Sequence, residues 1–437
     1  MKFIPVLLLS MFFSASSIFA QKAPLLTLEE AVSIALKNNY DILLAKNNTV
    51  ISATNVTVGN AGYLPNLAAT ASTSSSILNI NQTRSDGTVN NIPKLHNSSN
   101  TYGPNINWTL FDGFNMFANY AQLKTLNKLG QVQERDTIQS ALASVISTYY
   151  NLVNQNQQIM SLKEAIAISR LQLRYASDKY GVGRASKLDV LNAEVNFNTD
   201  TANFLIQVQS FRTTKISLNR LLVRKLTTDF SVPDTIQNQD QLVLGDILSK
   251  AQTANPTILI YQINKRLAEI SLRQVRSTRY PVLGVNSGYA FSNSKTPAGF
   301  TQTQNTKGLN YGLTASVNIF DGFNQTRRER VARLQINGAD IQLSQVQQQV
   351  EAQINSLYIN YLSGLDLIRL EKSNVGIAKQ NLDISLEKYR LGNITPLEVR
   401  EAQRNYLDAQ TRFFNNQYQT KLAEVSLKEI TGTISLN

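Results

Sequence analysis

Few side chains in this 437-residue sequence are equipped to make or break bonds. It contains no cysteine and one histidine, His96, which sits in an Asn/Ser-rich stretch. Disulfides, thiolate metal sites and cysteine nucleophiles are excluded. Paired-histidine metal sites are excluded too, and a histidine-based triad has no support. What remains is carboxylates at fixed spacings. Glu398 and Glu401 stand three apart on one face of a helix, near its start. Acids there complement the helix dipole. Set around a pore mouth, one pair from each chain, they would instead favour cations and respond to divalent ions. Ser186 with Asp189, and Thr395 with Glu398, have capping-box spacing, and Pro396 falls at a first helical position. The pair Gly181-x-Gly183 follows no strand and so is no nucleotide motif. With no nucleophile, base or metal set converging, neither an enzyme nor a bound cofactor is expected.

The elements that must position these residues come in two copies. LEEAVSIALKNNYDILL from Leu28 is echoed by LGDILSKAQTANPTILI from Leu244, which pairs Ala35 with Ala251, Asn39 with Asn255 and Ile42 with Ile258. LFDGF at 110–114 is echoed 209 positions later by IFDGF at 319–323, and the same shift pairs Tyr180 with Tyr389 and Gly183 with Gly392. Duplication with one loop deletion explains both offsets. The expected organisation is a secretory signal over 1–20, a first unit over 21–236 and a second over 237–437. In each unit helical segments come first (28–60 and 244–278), broken near Asn39 and at Asn255-Pro256 and ended by Pro65 and Pro281. A strand pair follows, about 66–111 and 282–320, and then a long helical hairpin, about 114–225 and 323–431.

The strands alternate. Tyr102, Ile106, Trp108 and Leu110 face one way and Asn105, Asn107 and Thr109 the other; Tyr311, Leu313, Ala315, Val317 and Ile319 repeat the pattern. Ten-residue strands with one apolar face suit a transmembrane β-barrel. Four strands cannot close one, so several chains must join, eight strands from two or twelve from three. At the strand-to-helix junctions Asp112-Gly113 and Asp321-Gly322, the aspartates are natural helix caps and the glycines allow the change of direction.

Beyond them a seven-residue repeat runs through Ile138, Val145, Leu152, Ile159, Ile166, Leu173 and Tyr180. The second copy keeps Ile354, Tyr361, Ile368, Val375, Leu382 and Tyr389, so supercoiled helices are expected. As one helix, 114–179 would span ~99 Å; the return helix (~58 Å) and the N-terminal helix (~50 Å) would stack to match it. Gly183 and Gly392 stop the outgoing helices at exposed tips. The formal net charge of +12 falls to +11 without Lys2, and its basic residues are scattered over helix faces, which argues against nucleic acid.

YGPNINWTLFDGF (102–114), YGLTASVNIFDGF (311–323), the tip sequences KYGVGRASKLDVLNAE (179–194) and KYRLGNITPLEVREAQ (388–403), and the duplication resemble the TolC family of outer-membrane efflux proteins. The resemblance spans nearly the whole chain after the signal. It implies an α+β membrane protein of a Gram-negative bacterium: a homotrimer whose twelve strands form one barrel in outer-membrane lipid, above a coiled-coil tunnel through the periplasm. It also implies a passive exit duct for efflux or type I secretion. The duct would be joined by a periplasmic adaptor (a membrane fusion protein) to an inner-membrane transporter of RND, ABC or MFS type. Tyr180, Gly181, Gly183, Tyr389, Gly392 and Pro396 fall in the region that meets the adaptor. Asp189 and Tyr389 match positions that hold the entrance closed, and Glu398 and Glu401 match an acidic constriction. Where the family carries an arginine two residues after the second tip glycine, this chain has Ile394, which leaves closure to Arg390 or Arg400. The competing reading, a periplasmic adaptor or structural coiled coil, would show a small β module flanking a single hairpin.

Overall fold

The computed structural model describes residues 24–238 and 242–434. The expected signal over 1–20 lies outside the described residues. Twelve elements follow in order: α1 (Leu28–Asn38), α2 (Tyr40–Thr54), β1 (Asn66–Thr83), β2 (Val89–Asp112), α3 (Asn115–Gly181), α4 (Lys187–Leu221), α5 (Leu244–Ala254), α6 (Pro256–Ser277), β3 (Val282–Lys295), β4 (Thr303–Ser316), α7 (Asn324–Leu391) and α8 (Pro396–Ile430). The strands form one antiparallel sheet in the order β1-β2-β3-β4. With both strand pairs in a single sheet, and a hairpin after each, the adaptor layout is not what this chain adopts.

Three expectations about element lengths and ends need correction. The strands exceed ten residues, at 18, 24, 14 and 14. The Ala/Ser/Thr-rich β1 is long because its backbone pairs with β2 throughout, whatever its weak side-chain pattern. Alternation ran on to Ile319, but β4 ends at Ser316. The first helical segment stops at Thr54, eleven residues before Pro65, where turns take over from Asn55.

Helices α3 and α7, at 67 and 68 residues, are each about 100 Å long. All six second-copy heptad residues are buried or half-buried, and in the first copy only Tyr180 is exposed. Apolar side chains concentrate where α4 and α8 end. Ala31, Ala35, Val145, Leu152, Leu218, Leu222 and Phe230 share one cluster, and Ala251, Ile258, Ile354, Tyr361 and Leu427 share its counterpart.

At each cluster an asparagine splices two helices. The Asn39 side chain donates to the Leu221 carbonyl (2.9 Å), which ends α4, and accepts from the Asp41 and Ile42 amides, which start α2. Asn255 repeats this between the Ile430 carbonyl (2.8 Å) and the Ile258 amide. These side chains satisfy an orphan carbonyl and orphan amides at once, and both are 4% exposed. The helix stacked on α4 is therefore α2 alone; α1 breaks off at Asn39 and packs beside α3.

Candidate functional site: a lipid-facing sheet and paired hairpin tips

Strand register fixes the two faces of the sheet. Trp108 opposes Val285 and Tyr102 opposes Phe291, while Tyr311 and Leu313 continue the same face on β4. Among the described residues this face is largely open, with Tyr311 and Leu313 83% and 80% exposed and only Trp108, near the helical end, donating to the Tyr63 carbonyl. Asn105, Asn107, Asn286, Asn310 and Thr314 line the other. Tyr102 and Phe291 stack at 5.2 Å with Tyr289 beside them, and Phe111, Phe114, Phe117 and Tyr280 cluster at the helical end. Tyr102 to Phe111 is ~30 Å along the strand, or ~20 Å in height at ~45° tilt, near the apolar band of a membrane barrel. Among the described residues no helix is long and apolar enough to cross a membrane.

The junctions differ between copies. The N-cap positions belong to Phe114 (φ 71°) and Phe323 (φ 62°), not to the aspartates. Asp112 still caps α3 from outside, its carboxylate accepting from the Met116 amide at 3.1 Å. Asp321 does not cap α7; Arg328 takes its carboxylate at 3.2 Å, and Asn324 donates to its carbonyl. Gly113 and Gly322 both have positive φ, but only Gly113 is crowded: a Cβ there would lie 2.2 Å from the Ser277 carbonyl oxygen.

At the opposite end the hairpins turn alike. The Gly183 amide donates to the Tyr180 carbonyl and that of Arg184 to Lys179; Gly392 and Asn393 repeat this with Tyr389 and Lys388. Both capping boxes are formed, Ser186 with Asp189 and Thr395 with Glu398, and Pro396 opens α8. The backbone amide of Ser186 and then its hydroxyl hold Asp189 below the usual carboxylate range; Thr395 does the same for Glu398. A depressed carboxylate stabilises the fold above its unfolded pKa and stops doing so as pH falls through its folded one. Acidification through and below the usual carboxylate range should therefore fray the first turns of α4 and α8 together. Amide exchange should show it there and not mid-helix, and Thr395→Ala should reproduce it in α8 at neutral pH at a cost of ~1 kcal/mol.

The equivalent tyrosines part company. Tyr180 is exposed beside Lys187, whereas Tyr389 is 4% exposed. Lys179 holds Tyr389, donating to its carbonyl (2.7 Å) with the ammonium 4.1 Å from the ring centroid, and so ties the α3 tip to the α7 tip. Burial, and then the Asp189 charge, push the Tyr389 hydroxyl pKa upward. Glu401 is exposed, 3.8 Å from Arg404, and the exposed Arg390 pairs with Glu387 on its own helix. Of the two arginines considered for closure, Arg400 is the one that crosses between hairpins.

Arg400 meets Asp200 at 2.8 Å, and Gln403 Nε2 donates to the same carboxylate oxygen and to the Ala165 carbonyl, both at 3.0 Å. Gln172 Nε2 donates to Gln403 Oε1 at 3.0 Å. This buried knot joins α3, α4 and α8. Above it Lys379 on α7 meets Glu164 on α3 at 2.8 Å, and the Tyr406 hydroxyl donates to that carboxylate. Sequence reasoning missed Lys179, Asp200, Gln172, Gln403, Glu164 and Lys379. The available signal was a mismatch between copies: the 209 shift puts Ala409 opposite Asp200 and Leu191 opposite Arg400.

Comparison with known proteins agrees with this architecture. The family model described as outer membrane efflux protein matches residues 31–223 and 247–433. The outer membrane efflux protein BepC of Brucella suis is 23% identical over 413 residues, covering 94% of this chain and 86% of that protein. The outer membrane protein TolC of Vibrio cholerae is 21% identical, covering 68% of this chain and 69% of the relative. The fold is that of the CmeC outer membrane channel of Campylobacter jejuni, with TM-score 0.72 at 20% identity, covering 93% of this chain and 85% of that one. The barrel closes only when three chains contribute their sheets. This chain belongs to the outer membrane efflux protein family, the TolC-like trimeric channels that carry cargo through the outer membrane in tripartite efflux or secretion systems.

Proposed function

We propose that this channel is shut at its helical tips until a periplasmic adaptor engages them, and that it then serves as a passive duct for an inner-membrane transporter. The observation that carries this reading is the paired tips. Two hairpins with matched turns stand exposed at the end of the helices farthest from the sheet, tied to one another by the Lys179–Tyr389 contact. Asp189 and Glu398 lie on the first turns beyond those tips and Glu401 on the turn after Glu398. Their carboxylates, three from each chain, would form the cation-favouring constriction when three chains meet. The capping bonds of Asp189 and Glu398 keep both anionic, so capping and pore charge coexist in one side chain.

Gly181 offers the cleanest test. Its φ is not positive and nothing lies within 4 Å of a Cβ built there, unlike Gly183 and Gly392, whose positive φ would confound any substitution with strain. Gly181→Arg should leave trimer assembly and bilayer conductance unchanged while abolishing export in cells. Export at the parental level would remove the adaptor contact from this tip.

A further inference from the structure

The two β-hairpins differ in height. Lys295, the last residue of β3, pairs with Ser98, and the β3–β4 ladder ends at Lys295 with Thr303. Beyond Ser98 only β1 and β2 continue among the described residues, paired from Ser76–Asn97 out to Thr83–Val89. The aromatic level at Tyr102 lies opposite Ala71, so Leu78 stands seven residues, ~23 Å along the strand, past the membrane edge. Each chain thus sends a two-stranded finger out on the side away from the helices.

The face of the finger follows from parity. Leu95 is in step with Asn105 and Asn107, and its partner Leu78 with Asn66, so both point to the polar, lumen side of the sheet. Between Leu78 and Ile80 the register shifts, with Asn79 of β1 facing both Pro93 and Lys94 of β2. Lys94 sits there at φ 54°, its amide bonded to the Asn79 side chain at 2.8 Å. Without this bulge Ile92 would fall on the outer face; with it, Ile92 opposes Ile80 and joins Leu78 and Leu95 on the inner one. The bulge also houses Pro93, which has no amide to give a ladder. Four apolar residues therefore share the inner face of a finger that projects into water.

An isolated two-stranded hairpin is marginal in water, and this one has free edges on both sides. Leu95 is 6% exposed, but Leu78 remains 44% exposed and Ile80 and Ile92 half-exposed within one chain. Trimer symmetry supplies the missing cover. Twelve strands at ~4.8 Å spacing and ~40° tilt make a barrel of about 12 Å radius, a distance that fingers of this length can span by leaning inward. We propose that the three β1–β2 hairpins close on the three-fold axis outside the membrane, where Leu78, Ile80, Ile92 and Leu95 of the three copies pack into an apolar collar that constricts the external mouth. An apolar ring of this kind gates by dewetting. The proposal rests on the trimeric barrel and is independent of adaptor contact at the tips.

The cysteine-free sequence makes the test direct. In single-cysteine variants on whole cells, Asp86→Cys at the finger's turn should react fully with a membrane-impermeant maleimide. Ile80→Cys should resist that reagent and, with a copper-phenanthroline oxidant, give a covalent dimer; the outward-facing Ile77→Cys should label and give none. Ile80→Asp with Ile92→Asp should raise single-channel conductance at least twofold in bilayers, with trimers still present on native gels. Free labelling of Ile80→Cys without cross-linking would overturn the collar. So would protection without cross-linking, since another molecule would then cover the face, or equal cross-linking from Ile77→Cys. An unlabelled Asp86→Cys would overturn it by placing the finger elsewhere, and would also count against surface exposure of this end of the barrel.

Discussion

Arg400→Ala is expected to loosen the seam that side chains make between α4 and α8 alongside α3 by about 3–5 kcal/mol, the usual cost of stripping one partner from a buried ion pair. The Asp200 side chain is 3% exposed and would keep only Gln403 as a donor. The loss should be local, because Gln403 also holds the Ala165 carbonyl and Gln172, and these bonds depend on where Arg400 and Asp200 fix its amide. Amide exchange should therefore accelerate by roughly two to four powers of ten around Asp200 and Gln403, with the sheet unaffected. The resting conductance of the trimer should rise with it. Asp200→Leu combined with Arg400→Met should restore much of the protection, because removing both charges leaves nothing buried and unpaired. Full protection in Arg400→Ala would show that the knot does not bear on the seam.

The second large effect belongs to the strand-to-helix junctions. Gly113→Ala should cost about 2–5 kcal/mol. Roughly 1–2 of that is the left-handed backbone at φ 69°, and a further 1–3 the collision with the Ser277 carbonyl at 2.2 Å. Gly322→Ala, at φ 66° with only the Asn324 amide nitrogen nearby at 3.8 Å, should pay the backbone part alone. Yield of outer-membrane trimer and its dissociation temperature should fall sharply for the first and modestly for the second. Equal losses would mean that the contact with α6 is unimportant.

That asymmetry marks where sequence reading stops. Duplicated motifs, alternation and heptads are local, so the two strand pairs and the long helices were legible from residues such as Tyr102 and Leu152. Asn39 and Asn255 were visible as a matched pair, but their bond to the end of a helix some 180 positions away was not. The aspartates of Phe-Asp-Gly-Phe look equivalent, yet Arg328 draws Asp321 off its helix while Asp112 keeps capping. The knot was hidden for the same reason. Asp200 and Arg400 are ordinary polar residues on their own helices, and only the packing of α4 and α8 on α3 brings them within reach of each other.

The asparagine splices have a mechanical consequence. Helices α3 and α7 run unbroken from the sheet to the tips, like spars, and carry load along covalent backbone. Helices α4 and α8 stop at Leu221 and Ile430, where the Asn39 and Asn255 side chains bond their last carbonyls to the starts of α2 and α6. Torque applied at the tips thus has a continuous path along two helices of each chain and a jointed one along the other two. A joint of that kind transmits twist less stiffly than continuous helix, much as a universal coupling lets one shaft turn out of line with the next.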